Sequence, residues 1–262
     1  MTAGGSGGAV ATGAEWLRQF APAAGGAPTL VCLPHAGGSA AFFAPLARAL
    51  SPALRVLAVQ YPGRLDRRDE PPVEDVRELA RRIAGALAAD AAGAGGGPLA
   101  FFGHSMGALV AYETALLGER GHGPVPDRLF VSAARAPHLA RVEDAVVRAD
   151  RSLLDEVLFL GGTSPAVLTD PDLRALILPA LRADYRALRG YTAAPGTAVG
   201  CPVVALTGDD DPRVAVAEAR AWREHTPGPF ELRVLPGDHF YLIPRLHEVA
   251  DAVRADFPGG RR

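Results

Sequence analysis

The chain has 262 residues, of which 48% are hydrophobic and only two are cysteines. A chain of this length buries roughly 70–75% of the surface that it exposes when unfolded, so folding does not require disulfides or a structural metal. Its 27 basic residues, all arginine, nearly balance 29 acidic residues and leave a formal net charge of −2. This balance gives no global field that attracts polyanions, which argues against nucleic-acid binding.

Residues 1–14 are rich in Gly, Ala, Ser and Thr and have no hydrophobic period, which predicts a disordered leader. The same segment lacks the basic and apolar regions of a secretory signal. No later stretch approaches the roughly 20 apolar residues that span a bilayer. We therefore expect a cytoplasmic protein that does not associate with membranes.

Short apolar runs alternate with amphipathic stretches along most of the remaining chain, which is the pattern of βαβ units. The predicted strands are 29–33, 54–60, 98–102, 128–133, 202–207 and 230–235. Apolar residues at steps of three or four predict helices at 73–87, 106–119, 213–224 and 244–256. Residues 15–136 and 199–258 are therefore expected to form an α/β core with a mostly parallel sheet flanked by helices.

Between 137 and 198 the alternation stops, and the helical period continues without a convincing strand. Asp150 can cap one helix, which Gly161 and Gly162 would end, and Asp170 followed by Pro171 starts another. Pro179 either kinks that second helix or begins a third. The predicted apolar faces contain Leu153, Leu154, Val157, Leu158, Leu173, Leu176 and Ile177. A helical insertion over a sheet edge favours a lid, with an extra packing layer as the alternative.

The strongest chemical signal is the segment Gly103-His104-Ser105-Met106-Gly107, which lies directly between a predicted strand and a predicted helix. This G-x-S-x-G context is that of a nucleophile elbow, where glycines allow the strand and the helix to approach closely. Ser105 is the candidate nucleophile. The helix N-terminus aims the amide of Met106 at the same point, which predicts one oxyanion donor there. The alternative is a tight turn with an ordinary serine.

A serine nucleophile near neutral pH needs a base, and the base needs an acid that holds its tautomer. His239 follows the strand at 230–235, so it should reach the same sheet edge as Ser105. The other six histidines occupy less suitable places, namely His35, His104, His122, His138, His225 and His247. For the acid we favour Asp211 at the end of the triplet 209–211, with Asp210 second and Asp238 a weaker candidate that is better suited to capping its loop.

The loop after the first strand reads Pro34-His35-Ala36-Gly37-Gly38. Its small residues allow a backbone amide to approach a reacting carbonyl, as in the glycine-rich oxyanion loops of esterases. We therefore predict Ala36 as the second oxyanion donor. The alternative is a glycine turn that only connects a strand to a helix.

The motifs LPHAGGS, YPGR (61–64), GHSMG, GDDDP and GDHFYL, in this order and around the helical insertion, resemble the type II thioesterases of polyketide and nonribosomal peptide synthesis. The resemblance covers about residues 16–257 and implies an α/β-hydrolase fold with a helical lid. It also implies Ser105, Asp211 and His239 as the catalytic residues, with oxyanion amides at Ala36 and Met106. The implied substrate is an acyl group on the phosphopantetheine arm of a carrier protein, and the implied role is to clear stalled or misloaded synthases.

Two segments depart from this pattern. Leu65 stands where a glycine is expected after YPGR, and SAARAP (132–137) is less basic than expected. A generic carboxylesterase or lipase on the same fold is the alternative function, and no metal or cofactor is expected. Arg182, Arg186 and Arg189 share one helical face, which either meets an acidic carrier protein or is simply solvated. Cys32 and Cys201 lie in apolar runs and are expected to be inert core thiols.

Overall fold

The structure is a computed structural model that describes residues 13–94, 97–142, 146, 149–161, 166 and 169–257. The predicted leader therefore lies outside the described residues, except that 13 and 14 begin the first helix. The strands are β1 (Leu17–Arg18), β2 (Thr29–Leu33), β3 (Arg55–Val59), β4 (Leu99–His104), β5 (Arg128–Ser132), β6 (Val203–Gly208) and β7 (Phe230–Leu235). The α-helices are α1 (Gly13–Trp16), α2 (Ala44–Leu50), α3 (Val76–Ala94), α4 (Met106–Glu119), α5 (Asp150–Phe159), α6 (Pro171–Gly190), α7 (Val216–Arg220) and α8 (Leu246–Asp256).

The strands form one seven-stranded sheet in the order β1-β3-β2-β4-β5-β6-β7. The pairs from β3 through β7 are parallel, and only β1 runs antiparallel, at the edge beside β3. Parallel strands deliver their carboxyl ends to one edge, where open α/β sheets place their binding crevice. Strand β4 lies in the middle of the sheet, so the loop that follows it emerges at the centre of that edge.

Helices cover both faces of the sheet, as expected for strands that are apolar on both sides. One face packs against α3 and α4, with Ile83, Val110 and Tyr112 fully buried. The other face packs against α2 and α8, with Phe43 and Val253 fully buried. The prediction of a mostly parallel sheet flanked by helices is confirmed. No helix in the described part of the chain is both long enough and apolar enough to cross a bilayer.

Each of the six predicted strands is present, with its ends shifted by at most two residues. The sequence analysis missed β1, which has only two residues, and α2, whose short apolar pattern follows a glycine-rich loop. The helix predicted at 213–224 is a short α7 followed by a 3₁₀ segment, Ala221–His225. These differences lie at the edge and the surface of the sheet.

Two helices occupy the predicted insertion. Asp170 caps α6 as expected, because its carboxylate accepts hydrogen bonds from the amides of Asp172 and Leu173 at 2.9 and 3.1 Å. The prediction that Asp150 caps α5 is wrong: the cap residue is Ala149, and the Asp150 carboxylate pairs with Arg182 instead. Helix α6 runs through Pro179 as one element, so no third helix begins there. Helix α5 ends before Gly161, and Gly162 lies outside the described residues.

The predicted apolar faces of the insertion are only partly buried. Leu153 and Leu154 pack against Leu178, Leu181 and Tyr185 in a small cluster between the two helices. Two members of the predicted apolar face of α6, Leu173 and Leu176, are 40% and 48% exposed on its first turns, so an apolar period there does not mark a buried face. Those turns extend beyond the part of the helix that packs on the rest of the chain.

The predicted open basic face of α6 is also largely neutralised. Arg182 is paired with Asp150, and Arg186 Nη1 lies 2.8 Å from Glu74 Oε1. Both pairs are exposed, and exposed pairs of this kind contribute little to stability. These contacts favour the solvated alternative for this face over a docking surface.

The last turns of α6 belong to the main core. Ala187 is buried in the same apolar cluster as α3 and α4, and so is Tyr191, which follows the helix. The Tyr191 hydroxyl donates a hydrogen bond to Glu113 Oε1 at 3.0 Å. The segment 137–198 therefore adds residues to the main apolar core in addition to the helices that line the site.

Candidate active site

Ser105 lies in the sharp turn between β4 and α4 and has φ +55° and ψ −119°. A positive φ is uncommon for a residue with a side chain, and the surrounding backbone must hold it there. A Cβ added at Gly103 would lie 2.2 Å from the carbonyl oxygen of Gly107, and one added at Gly107 would lie 2.0 Å from that of Leu33. Both glycines are therefore required by backbone contact, as the nucleophile-elbow pattern predicts.

Ser105 is hydrogen-bonded to His239, and His239 to Asp211. The Ser105 Oγ lies 3.0 Å from His239 Nε2, and His239 Nδ1 lies 2.8 Å from Asp211 Oδ2. The side chains of His239 and Asp211 are 4% and 0% exposed. The structure thus brings the three predicted residues together from the ends of β4, β6 and β7.

The four candidate acids have different partners. Asp211 uses its second oxygen, Oδ1, to accept hydrogen bonds from the amides of Arg213 and Val214 at 2.8 and 3.1 Å. Asp209 accepts from the amide of Gly237, and Asp238 caps its loop through the amide of Phe240. Asp210 is exposed. Only Asp211 contacts His239 in this way, so the preference within the triplet agrees with the geometry.

His104 lies directly beside His239, and His35 lies beside His104. The ring of His104 is 5.5 Å from that of His239 and 5.8 Å from that of His35, measured between centroids. Burial lowers the pKa of His35 to about 3, with smaller contributions from His239 and Arg64. Burial likewise lowers the pKa of His104 well below its usual value. Both rings are therefore neutral near pH 7, and neither forms an imidazolium beside the catalytic site.

A chain of buried hydroxyl groups lies beneath the serine and the histidine. His104 Nδ1 lies 2.9 Å from Ser132 Oγ, which lies 2.7 Å from the hydroxyl of Tyr241. His104 precedes Ser105, and Tyr241 follows His239 by two residues. The amide of Ser105 also donates to the Ser132 carbonyl at 2.8 Å. Strand β5 thus ties the serine turn to the histidine loop, a link that no local sequence pattern indicated.

The predicted oxyanion donors lie on neighbouring loops. Ala36 follows β2, which pairs in parallel with β4, and Leu33 lies opposite Gly103. Met106 is the first residue of α4. Because Gly107 meets the carbonyl groups of Leu33 and Pro34 at backbone contact distance, the first turn of α4 touches the loop that carries Ala36.

A cavity of about 110 Å³ opens onto Ser105 and His239. Its apolar lining includes side chains from α4, the insertion and the loop after β6, namely Leu109, Val142, Leu160, Leu188 and Val214. Charged groups line it as well. Arg213 pairs with Glu156 of α5, and both Arg135 and Arg141 pair with Glu218. The cavity is thus apolar beside the serine, with paired charges in its wall.

The sequence analysis missed a buried ion pair beside the Ala36 loop. Arg64 Nη1 and Nη2 donate to the two carboxylate oxygens of Asp184 at 2.8 and 2.9 Å, with side-chain exposures of 6% and 1%. The motif YPGR pointed to Arg64 only through its resemblance to a family. Nothing in the local sequence of α6 distinguished Asp184, because the pair joins residues 120 positions apart.

Cys32 and Cys201 are both buried, and burial raises the pKa of each thiol. This environment is that of a core thiol rather than a reactive one. Among the described residues, no group of three or more His, Cys, Asp or Glu side chains is arranged to hold a metal ion.

The fold and the position of Ser105 place the chain in the α/β-hydrolase class. A family model described as a thioesterase domain matches residues 28–257. Thioesterase PikA5 of Streptomyces venezuelae is 48% identical over 240 residues, which cover 91% of this chain and 84% of that protein.

Two solved structures are similar as well. The type II thioesterase BorB from the borrelidin biosynthetic cluster is 47% identical, with a TM-score of 0.82 and coverage of 92% of this chain and 96% of that one. YbtT, a type II thioesterase from the yersiniabactin NRPS/PKS pathway, is 31% identical, with a TM-score of 0.79 and coverage of 94% and 99%.

The chain therefore belongs to the thioesterase family, and within it to the type II thioesterases of polyketide and nonribosomal peptide synthesis. The resemblance drawn from the sequence motifs is confirmed. The protein is a hydrolase of thioesters, and the alternative of a generic carboxylesterase or lipase is set aside.

Proposed function

We propose that the protein hydrolyses acyl thioesters on the phosphopantetheine arm of carrier proteins through an acyl-enzyme formed on Ser105. The observation that carries this proposal is the hydrogen-bonded series Ser105, His239, Asp211 at the mouth of an apolar cavity. Its geometry is that of an activated nucleophile whose base is oriented by a third group.

In the first half-reaction, Ser105 Oγ attacks the thioester carbonyl carbon while His239 Nε2 takes the hydroxyl proton. Asp211 accepts the Nδ1–H of His239, which fixes the tautomer and stabilises the imidazolium. The backbone amides of Ala36 and Met106 donate to the oxyanion of the tetrahedral intermediate. The carbon–sulfur bond then breaks, and His239 returns the proton to the departing thiolate, which leaves the free pantetheine thiol.

In the second half-reaction, water attacks the acyl-serine ester and gives its proton to His239 Nε2. The same amides hold the second oxyanion. Collapse of this intermediate breaks the ester bond, and His239 returns the proton to Ser105 Oγ. The products are a carboxylic acid and the original enzyme. The neutral His35 and His104 beside the base take no proton in either step.

The apolar cavity accounts for an acyl substrate. Leu109, Leu160 and Leu188 line a space of about 110 Å³ beside Ser105. Because apolar surface favours a hydrocarbon over water, an acyl chain gains free energy by entering it. The helices of segment 137–198 form one wall of this space, and we infer that they act as its lid.

Relatives of this chain bear names from polyketide and nonribosomal peptide pathways, and YbtT is described as a type II thioesterase of such a pathway. We infer the same setting here, in which removal of stalled or misloaded acyl groups restores the carrier thiol. The carrier protein is therefore the partner of the proposed reaction.

A panel of acyl-loaded carrier proteins, followed by intact mass, tests the proposal. Wild-type enzyme should restore the free carrier thiol, and Ser105→Ala should lower turnover by roughly 10⁴–10⁶-fold, since residues of such a triad act as a unit. Its melting temperature should remain close to that of wild type, because the hydroxyl lies at a turn and its loss opens no core cavity.

The same acyl groups on coenzyme A and on p-nitrophenol serve as matched substrates. Faster hydrolysis of the carrier thioesters supports the proposed substrate. Equal rates on all three acyl donors would leave thioester hydrolysis intact but reject the carrier protein as a recognised partner. Full activity of Ser105→Ala would reject the acyl-enzyme mechanism.

A further inference from the structure

We propose that Asp184, a residue of the insertion helix α6, positions the oxyanion loop and so acts on the reaction through Ala36. The carboxylate accepts a hydrogen bond from the amide of Gly37 at 2.7 Å while it pairs with Arg64. This inference rests on the proposed function, because it concerns the amide of Ala36 as an oxyanion donor.

The oxyanion loop is a tight turn. The amide of Gly38 donates to the carbonyl of His35 at 2.9 Å, and Gly37 has φ +74°. Ala36 is not one of the described non-glycine residues that have a positive φ, so its φ is negative. A negative φ at the first central residue and a positive φ at the second define a type II turn, with Ala36 and Gly37 at its centre.

A type II turn converts to type I when its central peptide flips. Here that peptide joins the carbonyl of Ala36 to the amide of Gly37. In the observed state the amide points at Asp184 Oδ2. A flip would turn the Ala36 carbonyl oxygen towards the same carboxylate, and this oxygen and the buried Asp184 carboxylate, both acceptors, would then face each other without a proton between them. Asp184 therefore selects one orientation of the peptide that follows the Ala36 amide.

The loop 60–64 fixes the same turn from its other side. The Tyr61 hydroxyl donates to the carbonyl of Pro34 at 3.2 Å, and Arg64 Nη1 donates to the carbonyl of Gly38 at 2.9 Å. Arg64 thus contacts both the turn and Asp184. A buried carboxylate without a cation is costly, so the Arg64 guanidinium allows the Asp184 carboxylate to lie beside this turn and to accept the hydrogen bond from the Gly37 amide.

Packing reinforces the connection with α6. A Cβ at Gly37 would lie 3.0 Å from Leu181 Cδ1, one helical turn before Asp184. Ala36 also packs against the cluster that contains Leu181 and Tyr185. The turn is therefore in contact with α6 through both apolar atoms and a charged hydrogen bond. We infer that the insertion shapes the oxyanion hole in addition to covering the cavity.

Two neutral double variants isolate the bond to Gly37. Arg64→Met with Asp184→Leu removes both charges and the acceptor, whereas Arg64→Met with Asp184→Asn removes both charges but keeps an acceptor oxygen. The control is Arg186→Met with Glu74→Leu, which removes an exposed ion pair between the same helix and the core without touching the turn.

The readouts are kcat and KM for a small acyl-pantetheine, and the inhibition constant of a trifluoromethyl ketone analogue that forms a tetrahedral adduct with the serine. The Leu double variant should lose roughly 10–100-fold in kcat and in inhibitor affinity, with KM within about twofold, since loss of one oxyanion donor lowers kcat by about 10²–10³-fold. The Asn double variant should recover most of this loss, and the control should match wild type.

Equal behaviour of the Leu and Asn double variants would overturn the inference, and so would a change confined to KM. If neither double variant folds, Asp184→Asn alone decides. It keeps Arg64 and the bond from Arg64 to the Gly38 carbonyl, but a neutral amide oxygen accepts the Gly37 hydrogen bond less strongly than a carboxylate does, so kcat and inhibitor affinity should fall by about 3–10-fold with KM within about twofold. Wild-type kcat and inhibitor affinity in this variant would overturn the inference.

The experiment separates this inference from the proposed function. If wild-type enzyme does not cleave acyl-pantetheine or acyl-carrier thioesters, the proposed function fails. If wild type cleaves them and the two double variants behave alike, only the role of Asp184 fails.

Discussion

Ser105, Asp211 and His239 reach the site from the ends of strands, whereas the covering side of the cavity comes from the helices of the insertion. The first group is held by two side-chain hydrogen bonds and by the fixed order of β4, β6 and β7. The second depends on contacts between distant segments, such as Arg64 with Asp184 and Arg213 with Glu156. The sheet therefore positions the three proposed catalytic residues, and the insertion lines the cavity and contacts the loop that carries Ala36.

The largest effect is expected on the strand side. Asp211→Asn should lower kcat by about 10⁴-fold, because the amide no longer favours the His239 tautomer that accepts the serine proton. Single-turnover hydrolysis of an acyl-carrier thioester measures this loss. Asp210→Asn is the matched control, and its activity should match that of wild type. A larger loss in the control would place the catalytic acid at Asp210.

The pH dependence of the free energy of unfolding tests whether the buried His35 stays neutral in the folded protein. The pKa of His35 is about 3 in the folded protein and about 6.5 when unfolded. Below pH 6.5 the unfolded chain binds a proton that the folded chain does not, so stability falls as the pH drops towards 3. Between pH 7 and pH 5, His35 alone should remove about 2 kcal/mol from the free energy of unfolding.

Urea unfolding at pH 7 and pH 5 measures this loss. In His35→Gln the difference between the two pH values should shrink by about 2 kcal/mol. His247→Gln, which changes an exposed histidine, should retain the wild-type pH dependence. An unchanged pH dependence in His35→Gln would mean that this ring is protonated in the folded protein.

Substitutions in the insertion are expected to change the preference for acyl-chain length. Leu188→Ala enlarges the cavity beside Ser105. The kcat/KM for a longer acyl chain should therefore rise by about 10-fold relative to that for acetyl, because one or two additional methylene groups in an apolar pocket usually change kcat/KM by about this factor. Leu173→Ala, on an exposed turn of the same helix, should leave the ratio unchanged. Equal ratios in both variants would show that α6 does not set chain length.

The smallest effect concerns Leu65, which follows Arg64 and has φ +50° with 51% of its surface exposed. A left-handed conformation costs a non-glycine residue about 1 kcal/mol. Leu65→Gly should therefore raise the melting temperature by about 2–4 °C, whereas Leu65→Ala should not. Scanning calorimetry of the two variants makes the comparison, and a fall in both would mean that the leucine side chain stabilises the loop.

The sequence predicted the strand side well because each of its residues follows a local pattern. An apolar run ends, and a glycine or a short acidic turn places Ser105, Asp211 or His239 at one edge. The expected glycine at Leu65 also had a physical basis, since the backbone there adopts the conformation that glycine favours. These signals lie within a few residues of the group that they position.

The insertion side was predicted poorly because its contacts are not local. The sequence showed that α6 begins at Asp170, but not which face of the helix is buried, and Leu173 and Leu176 proved exposed. Asp150 has the composition of a cap and instead pairs with Arg182, 32 residues away. Asp184 resembles any charged residue on an amphipathic helix until Arg64 and Gly37 are brought beside it by the fold.

The position of helix α6 limits how the helices of segment 137–198 can be exchanged for those of another protein. Its 20 residues extend about 30 Å, and its C-terminal end packs with α3 and α4 through Ala187. A graft that replaces α5 and the first turns of α6 leaves the packing of Ala187 in place. Excision of all of 137–198 would instead remove Ala187 and Tyr191 from the core beside α3 and α4, so a replacement for the helices above the cavity must end before Asp184.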